Sequence, residues 1–91
     1  MAETLDNIFA SYVNQGTLEE AATWMANLTR NHPELAEEFI AALQKGIAAA
    51  SKSDASVVKA VNAGGHRVST ASEAGEHCVK LLGAYSKLLR G

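Results

Sequence analysis

The amino-acid sequence predicts one compact all-α domain over residues 1–91, built as a bundle of four or five helices. Apolar side chains recur every three or four residues along most of the chain, which is the period of a helix face. Residues typical of helix starts and stops separate these runs. No run alternates between apolar and polar positions as a half-buried strand does. A chain of 91 residues can bury one core but not two.

The first two helices are predicted over 4–15 and 17–30. Thr4 is the expected N-cap of the first, and Thr17 with Glu20 forms a capping box, in which each side chain satisfies a backbone N–H of the other residue. We expect these two helices to pack as a hairpin across the others. The apolar stripes of the two helices are Leu5, Ile8, Phe9, Tyr12 and Val13, and then Leu18, Ala21, Ala22, Met25 and Leu28.

The third and fourth helices are predicted over 33–51 and 54–63. Pro33 suits the first turn of a helix, because its φ is already fixed near the helical value. Asp54 can cap the short fourth helix, and Gly64-Gly65 ends it. The stripes are Leu35, Phe39, Ile40, Leu43, Ile47 and Ala50 in the third helix, and Val57, Val58 and Val61 in the fourth.

The fifth helix is predicted over 70–90, where Thr70 and Glu73 repeat the capping-box spacing. Three glycines inside helical runs are interpreted as notches for close helix packing, since glycine in a helix costs about 1 kcal/mol relative to alanine. These glycines are Gly46, Gly75 and Gly83. Trp24 lies at the edge of its stripe, where it can complete the core or anchor a partner, and core completion is the favoured interpretation.

Composition and targeting signals favour a soluble cytoplasmic protein. Apolar residues make up 47% and charged residues 20% of the chain, as in globular domains. The single cysteine, Cys78, cannot form an internal disulfide. The start of the chain lacks the basic and apolar segments of a signal peptide, and no apolar run is long enough to span a membrane.

Charge is distributed unevenly along the chain. Residues 1–44 contain seven acidic residues and one base, Arg30, whereas residues 45–91 contain three acidic and seven basic residues. A basic partner would therefore prefer the first half. Lys80, Lys87 and Arg90 are spaced along the last helix, which leaves a nucleic-acid-binding regulator as an alternative, although the net charge of −2 disfavours it.

The reactive side chains do not form a recognisable catalytic or metal site. His32, His66, His77 and Cys78 lack the spacing of a zinc site, and the adjacent His77 and Cys78 point about 100° apart on a helix. Cys78 falls on the apolar stripe of the fifth helix, where a thiol packs as a small hydrophobic group. That stripe is Ala74, Cys78, Leu81, Leu82, Tyr85, Leu88 and Leu89. We therefore expect a protein without enzymatic activity, cofactor or metal. Gly64 to Arg67 could hold an anion, but a glycine C-cap and loop is the favoured interpretation.

The order of these features resembles the small all-helical immunity proteins of bacterial contact-dependent growth-inhibition systems. The resemblance covers most of the chain and is carried by the opening Leu5…Phe9-Ala10-Ser11-Tyr12…Gln15, the run from Pro33 to Leu43, the short segment from Ser53 to Val58, the glycine-marked loop, and the closing helix from Glu73 to Leu89. It implies a partner that is a toxin domain, often a nuclease, neutralised by occlusion.

An acidic helical face would suit such a partner, because phosphate-binding nuclease surfaces are basic. The residues expected to bind it are Glu34, Glu37 and Glu38, with Glu19 and Glu20 as second choice. Two other interpretations stay open: a small regulatory or phage-encoded inhibitor of another protein assembly, and a homo-oligomeric module.

Overall fold

The computed structural model describes residues 4–13, 17–65 and 67–90, and within them the regular structure is helical, with no strand. The helices are α1 Leu5–Ser11, α2 Leu18–Asn31, α3 Leu35–Ser51, α4 Ala55–Asn62 and α5 Ala71–Arg90. The predicted all-α fold is confirmed. Residues 14 and 15 of the first predicted helix, and His66, lie outside the described residues. None of the described helices combines the length and apolar content needed to cross a bilayer.

Three helix starts have the predicted capping side chains. Thr4 Oγ1 accepts a hydrogen bond from the Asn7 N–H at 3.2 Å. In α2, the Glu20 N–H donates to Thr17 Oγ1 at 3.1 Å and the Thr17 N–H donates to Glu20 Oε1 at 3.2 Å, so the capping box is complete. Asp54 accepts from the Ser56 N–H at 2.9 Å, and this bond lowers the pKa of the Asp54 carboxyl.

The starts of α3 and α5 differ in detail from the prediction. Helix α3 begins at Leu35, because Pro33 and Glu34 form a turn in which the Leu35 N–H donates to the His32 carbonyl at 2.9 Å. At α5, Thr70 Oγ1 accepts from the Glu73 N–H, but the Glu73 carboxylate accepts from the N–H of Ser69. The return hydrogen bond to Glu73 therefore comes from the N–H of Ser69, one residue before the predicted donor, Thr70.

Helix α5 is the centre of the bundle and packs against α2, α3 and α4. It runs antiparallel to α3, since a Cβ on Gly75 would meet Ala50 at one end of the pair, whereas Phe39 meets Tyr85 at the other. The expected hairpin of the first two helices is wrong. The described part of α1 packs on α4 and α3, and it makes no helix–helix contact with α2.

Glycines explain where α1 docks. A Cβ on Gly46 would lie 2.7 Å from the Leu5 side chain, and a Cβ on Gly64 would lie 2.6 Å from the Phe9 carbonyl oxygen. Helix α1 therefore approaches α3 and the end of α4 more closely than a side chain would allow. Gly75 is also a notch, as predicted, but Gly83 is not, because a Cβ there would meet nothing within 4 Å.

The predicted apolar stripes supply the core. Ile8, Phe9, Met25, Phe39 and Tyr85 are among its largest fully buried side chains. Several buried positions lie outside the predicted stripes: Ala26, Thr29, Ala42, Ala60 and Val68. In the described part of the chain, no buried side-chain nitrogen or oxygen lacks a hydrogen-bond partner.

Candidate partner-binding surface

The three glutamates expected to bind a partner gather at the start of α3. Glu34 occupies the N-cap position without capping the helix through its side chain, and Glu37 lies in the first turn. Glu34 and Glu37 are exposed, whereas Glu38 is half-buried. At about 100° per residue, the three side chains span roughly 100° of the helix circumference. They form one acidic corner, which we call the α3 corner.

The second-choice residues, Glu19 and Glu20, lie in the first turn of α2 and are both exposed. Because α3 starts four residues after Asn31, the α3 corner lies near the end of α2. Eleven residues separate Glu20 from Asn31, which corresponds to roughly 16 Å along the helix axis. The structure therefore divides the five carboxylates into two groups rather than one face.

Both acidic groups have a structural reason to exist. Each lies at a helix N-terminus, where the helix dipole and the unpaired N–H groups favour negative charge. Glu20 is also engaged with Thr17 in the capping box. In the α3 corner, His32 Nδ1 lies 3.6 Å from Glu34 Oε1, and this contact is an ion pair only when His32 is protonated. Because these structural roles account for the carboxylates without a partner, the carboxylates alone do not identify a partner-binding surface.

Trp24 supplies additional evidence, and here the favoured interpretation from sequence was wrong. Its side chain does not complete the core but is 44% exposed. The indole packs edge-on against Tyr12, with ring centroids 5.4 Å apart. Tyr12 in turn contacts Phe39 at 5.6 Å, and Phe39 contacts Tyr85 at 5.6 Å. The exposed indole therefore rests on a column of rings that continues into the core.

A shallow depression surrounds the indole on α2. It is lined by Glu20, Thr23, Trp24 and Asn27. Arg30 Nη1 donates to Asn27 Oδ1 at 2.7 Å, which holds the amide in place. The depression therefore offers a partner one large aromatic ring beside a carboxylate, a hydroxyl and an amide. The sequence signals for this site were the edge position of Trp24 on its stripe and the choice of Glu20 as a second-choice partner residue.

The histidines and the cysteine lie apart from this surface. The Cys78 thiol is fully buried, and burial raises its pKa to about 11. His77 is half-buried, with Nδ1 2.9 Å from the backbone oxygen of Glu73. Across residues 4–13, 17–65 and 67–90, no three His, Cys, Asp or Glu side chains are placed to hold a metal ion. Arg67 is exposed, and because His66 lies outside the described residues, the alternative of an anion site from Gly64 to Arg67 is untested.

Comparison with known proteins adds no relative: no protein-family model, curated protein or solved structure matches the chain. The candidate surface consists of the Trp24 depression with Glu19 and Glu20, and of the separate α3 corner. Tyr12 touches the indole and also packs on Phe39, the buried residue that follows Glu38 in α3. The candidate surface combines one exposed aromatic ring with negatively charged side chains.

Proposed function

We propose that this chain is a non-catalytic protein-binding inhibitor of the immunity type, which neutralises a toxin domain by covering its active surface. The observation that carries this proposal is the exposed Trp24, fixed on Tyr12 and flanked by Glu20. Tryptophan is strongly enriched among the few residues that dominate the free energy of protein–protein binding. Because the ring is already fixed, little side-chain entropy is lost when a partner covers it.

The carboxylates supply the second part of the mechanism. The sole base among residues 1–44 is Arg30, and it is engaged with Asn27. The charged side chains that this half of the chain offers to an approaching molecule are therefore mainly negative. A nuclease toxin has a basic surface for phosphate, so long-range attraction raises the association rate before Trp24 docks. Covering that basic surface excludes the nucleic acid.

The partner can be identified by affinity capture of the full chain from its native strain, followed by mass spectrometry. We expect a basic protein that stops growth when expressed alone and that becomes harmless when co-expressed with this chain. A captured protein that keeps its activity in the complex would contradict the proposal and would point instead to a scaffold or regulatory role.

Two variants test the surface once the partner is purified. Trp24→Ala should weaken binding at least about 30-fold, which corresponds to about 2 kcal/mol for a dominant interface residue. Leu89→Ala is the control, because Leu89 is also a large exposed apolar side chain, at 36% exposure, but lies on α5 rather than beside Trp24. Reversing Glu34, Glu37 and Glu38 to Lys should slow association at low salt by about tenfold or more. Equal binding by wild type and Trp24→Ala would refute the assignment.

A further inference from the structure

The polar groups in the depression around Trp24 have hydrogen-bonding roles that their neighbours already set. Thr23 Oγ1 donates its single proton to the Glu19 carbonyl oxygen at 3.0 Å, so it can only accept from a ligand. Glu20 Oε1 accepts from the Thr17 N–H, whereas its second oxygen makes no hydrogen bond with the described residues. Two groups beside the indole therefore offer acceptors, and one of them is negatively charged.

The indole leaves a face open beside these acceptors. Trp24 is 44% exposed, and Tyr12 meets it at an interplanar angle of 77°. A perpendicular contact of this kind can occupy only one face of the indole. Glu20 lies four residues before Trp24 on the same side of α2, so its carboxylate lies beside the ring. The depression therefore combines an open aromatic face with a carboxylate.

This combination favours a cation over other occupants. The face of an aromatic ring is the negative end of its quadrupole, so it attracts a positive charge placed over it. An aliphatic side chain seated here would remove water from the Glu20 carboxylate without giving it a partner. A nucleic-acid base could stack on the ring, but its phosphates would be repelled by Glu19 and Glu20. A positively charged side chain therefore satisfies both Trp24 and Glu20.

Of the two basic side chains, arginine fits the depression better than lysine. A guanidinium group is planar, so it can lie flat on the indole while its N–H groups point outward in its own plane. Those N–H groups can then reach the Glu20 carboxylate and the Thr23 hydroxyl, which line the same depression. The lysine ammonium is compact and strongly hydrated, and a shallow site removes little of its water.

The bases of the chain itself leave the Glu20 end of the depression free for such a cation. Arg30 is the nearest base along α2, and its guanidinium bonds Asn27 Oδ1. Asn27 lies seven residues after Glu20, about 10 Å along the helix axis, which exceeds the screening length of about 8 Å at physiological salt. The other basic residues do not line the depression: Lys45, Lys52, Lys59, Arg67, Lys80, Lys87 and Arg90.

We propose that the Trp24 depression receives an arginine side chain of the protein partner, stacked on the indole and paired with Glu20. This inference rests on the proposed function, because it names the group of the toxin domain that Trp24 contacts. Arginine is also a favoured ligand of phosphate in nucleic-acid-binding proteins. Glu20 would therefore replace a phosphate as the partner of that arginine, and the toxin would lose one contact to its substrate.

Titration of the full chain with N-acetyl-arginine methylamide, followed by proton NMR at constant ionic strength, tests the assignment without the toxin. Trp24 is the sole tryptophan, so its indole N–H signal is identified directly. We expect a saturable shift with a dissociation constant on the order of 100 mM, as for one exposed cation–π contact and one exposed ion pair. The lysine analogue should bind more weakly, and the uncharged citrulline analogue should cause little shift. No saturable shift up to about 0.3 M, or an equal shift with citrulline, overturns the proposal.

Two charge variants locate the bound guanidinium. Glu20→Gln removes the charge but keeps the capping box, since glutamine can also accept from the Thr17 N–H. It should weaken binding of the arginine probe about threefold. Glu19→Gln is the matched control, because it removes the same charge from the same first turn, outside the depression, and should leave binding unchanged. Equal weakening by both variants would show general attraction to α2 and would overturn the pairing with Glu20.

The outcomes separate this inference from the proposed function. If Trp24→Ala weakens binding of the toxin but the arginine probe does not bind the chain, only the arginine assignment fails. If the probe binds but Trp24→Ala leaves toxin binding unchanged, the depression is an arginine site and the proposed inhibitory surface is wrong.

Discussion

One hydrogen bond ties α2 to α5 in the core, and its direction can be deduced. Thr29 is buried at the interface of α2 and α5, and Tyr85 is the buried residue that faces it with a second hydroxyl. The Thr29 hydroxyl lies 2.8 Å from the Met25 carbonyl oxygen, which can only accept, and 2.6 Å from the Tyr85 hydroxyl. A hydroxyl has one proton to donate. Thr29 therefore donates to Met25 and accepts from Tyr85.

This direction predicts that the two single deletions are unequal. Thr29→Val leaves the buried Tyr85 hydroxyl without an acceptor, and we expect a loss of about 2–3 kcal/mol in the free energy of unfolding. Tyr85→Phe leaves Thr29 bonded to Met25, so the expected loss is only about 1 kcal/mol. The double variant contains no unpaired donor. Its loss should be smaller than the sum of the single losses by at least about 1 kcal/mol.

Urea unfolding followed by far-ultraviolet circular dichroism measures these losses, provided that the slope of the transition stays constant. The control is Thr23→Val, because Thr23 is exposed on the same helix and its hydroxyl bonds the Glu19 carbonyl in the same local geometry, at 3.0 Å. It should change stability by less than about 0.5 kcal/mol. Single losses that add within about 0.3 kcal/mol would show that Thr29 and Tyr85 are not coupled, and equal single losses would show that the deduced direction is wrong.

Three further predictions concern packing, ionisation and capping. Gly64→Ala should lower the free energy of unfolding by about 1–3 kcal/mol, because its Cβ would lie 2.6 Å from the Phe9 carbonyl oxygen. Gly83→Ala should instead raise the free energy of unfolding by up to about 1 kcal/mol, and equal effects of the two changes would refute the close approach of α1 at Gly64. The folded pKa of Cys78, about 11, exceeds the usual 9.0, so stability is intact below pH 9 and falls by roughly 3 kcal/mol as the pH rises to 11. Denaturant midpoints across that range test this, and Cys78→Ala should remove that part of the loss. Thr17→Ala removes an acceptor from the capping box and should lower the melting temperature by about 4–8 °C, while an unchanged value would mean that the box contributes nothing.

Features that depend on residues within one or two helical turns were predictable from the sequence. The stripes and the caps at Thr4, Thr17 and Asp54 follow from spacing and from side-chain chemistry over at most four positions. Position-specific burial was not predictable in the same way. Thr29 is buried because Tyr85, 56 residues later, offers it a hydroxyl. Gly83 has the same local signal as Gly46 but a different neighbourhood, since only Gly46 faces another helix.

The candidate surface was predictable in part. Sequence identified the acidic residues, but not that the direction of α2 separates Glu19 and Glu20 from the α3 corner. The orientation of Trp24 depended on where α1 docks, because Tyr12 supports the indole. That docking depends on Gly64, which the sequence presented only as a helix end. The orientation of Trp24 therefore depends on long-range contacts at Gly64 and Tyr12, which the local sequence pattern does not reveal.

The fluorescence of Trp24 can report on the contact between the indole and Tyr12. Trp24 is the sole tryptophan, and it is half open to water while its edge touches Tyr12. Detachment of α1 would strip that ring from the indole and shift the fluorescence emission to the red, whereas a bound molecule would exclude water and shift it to the blue. The two events move one signal in opposite directions, so label-free spectroscopy can separate loosening of the N-terminal helix from recognition at the surface.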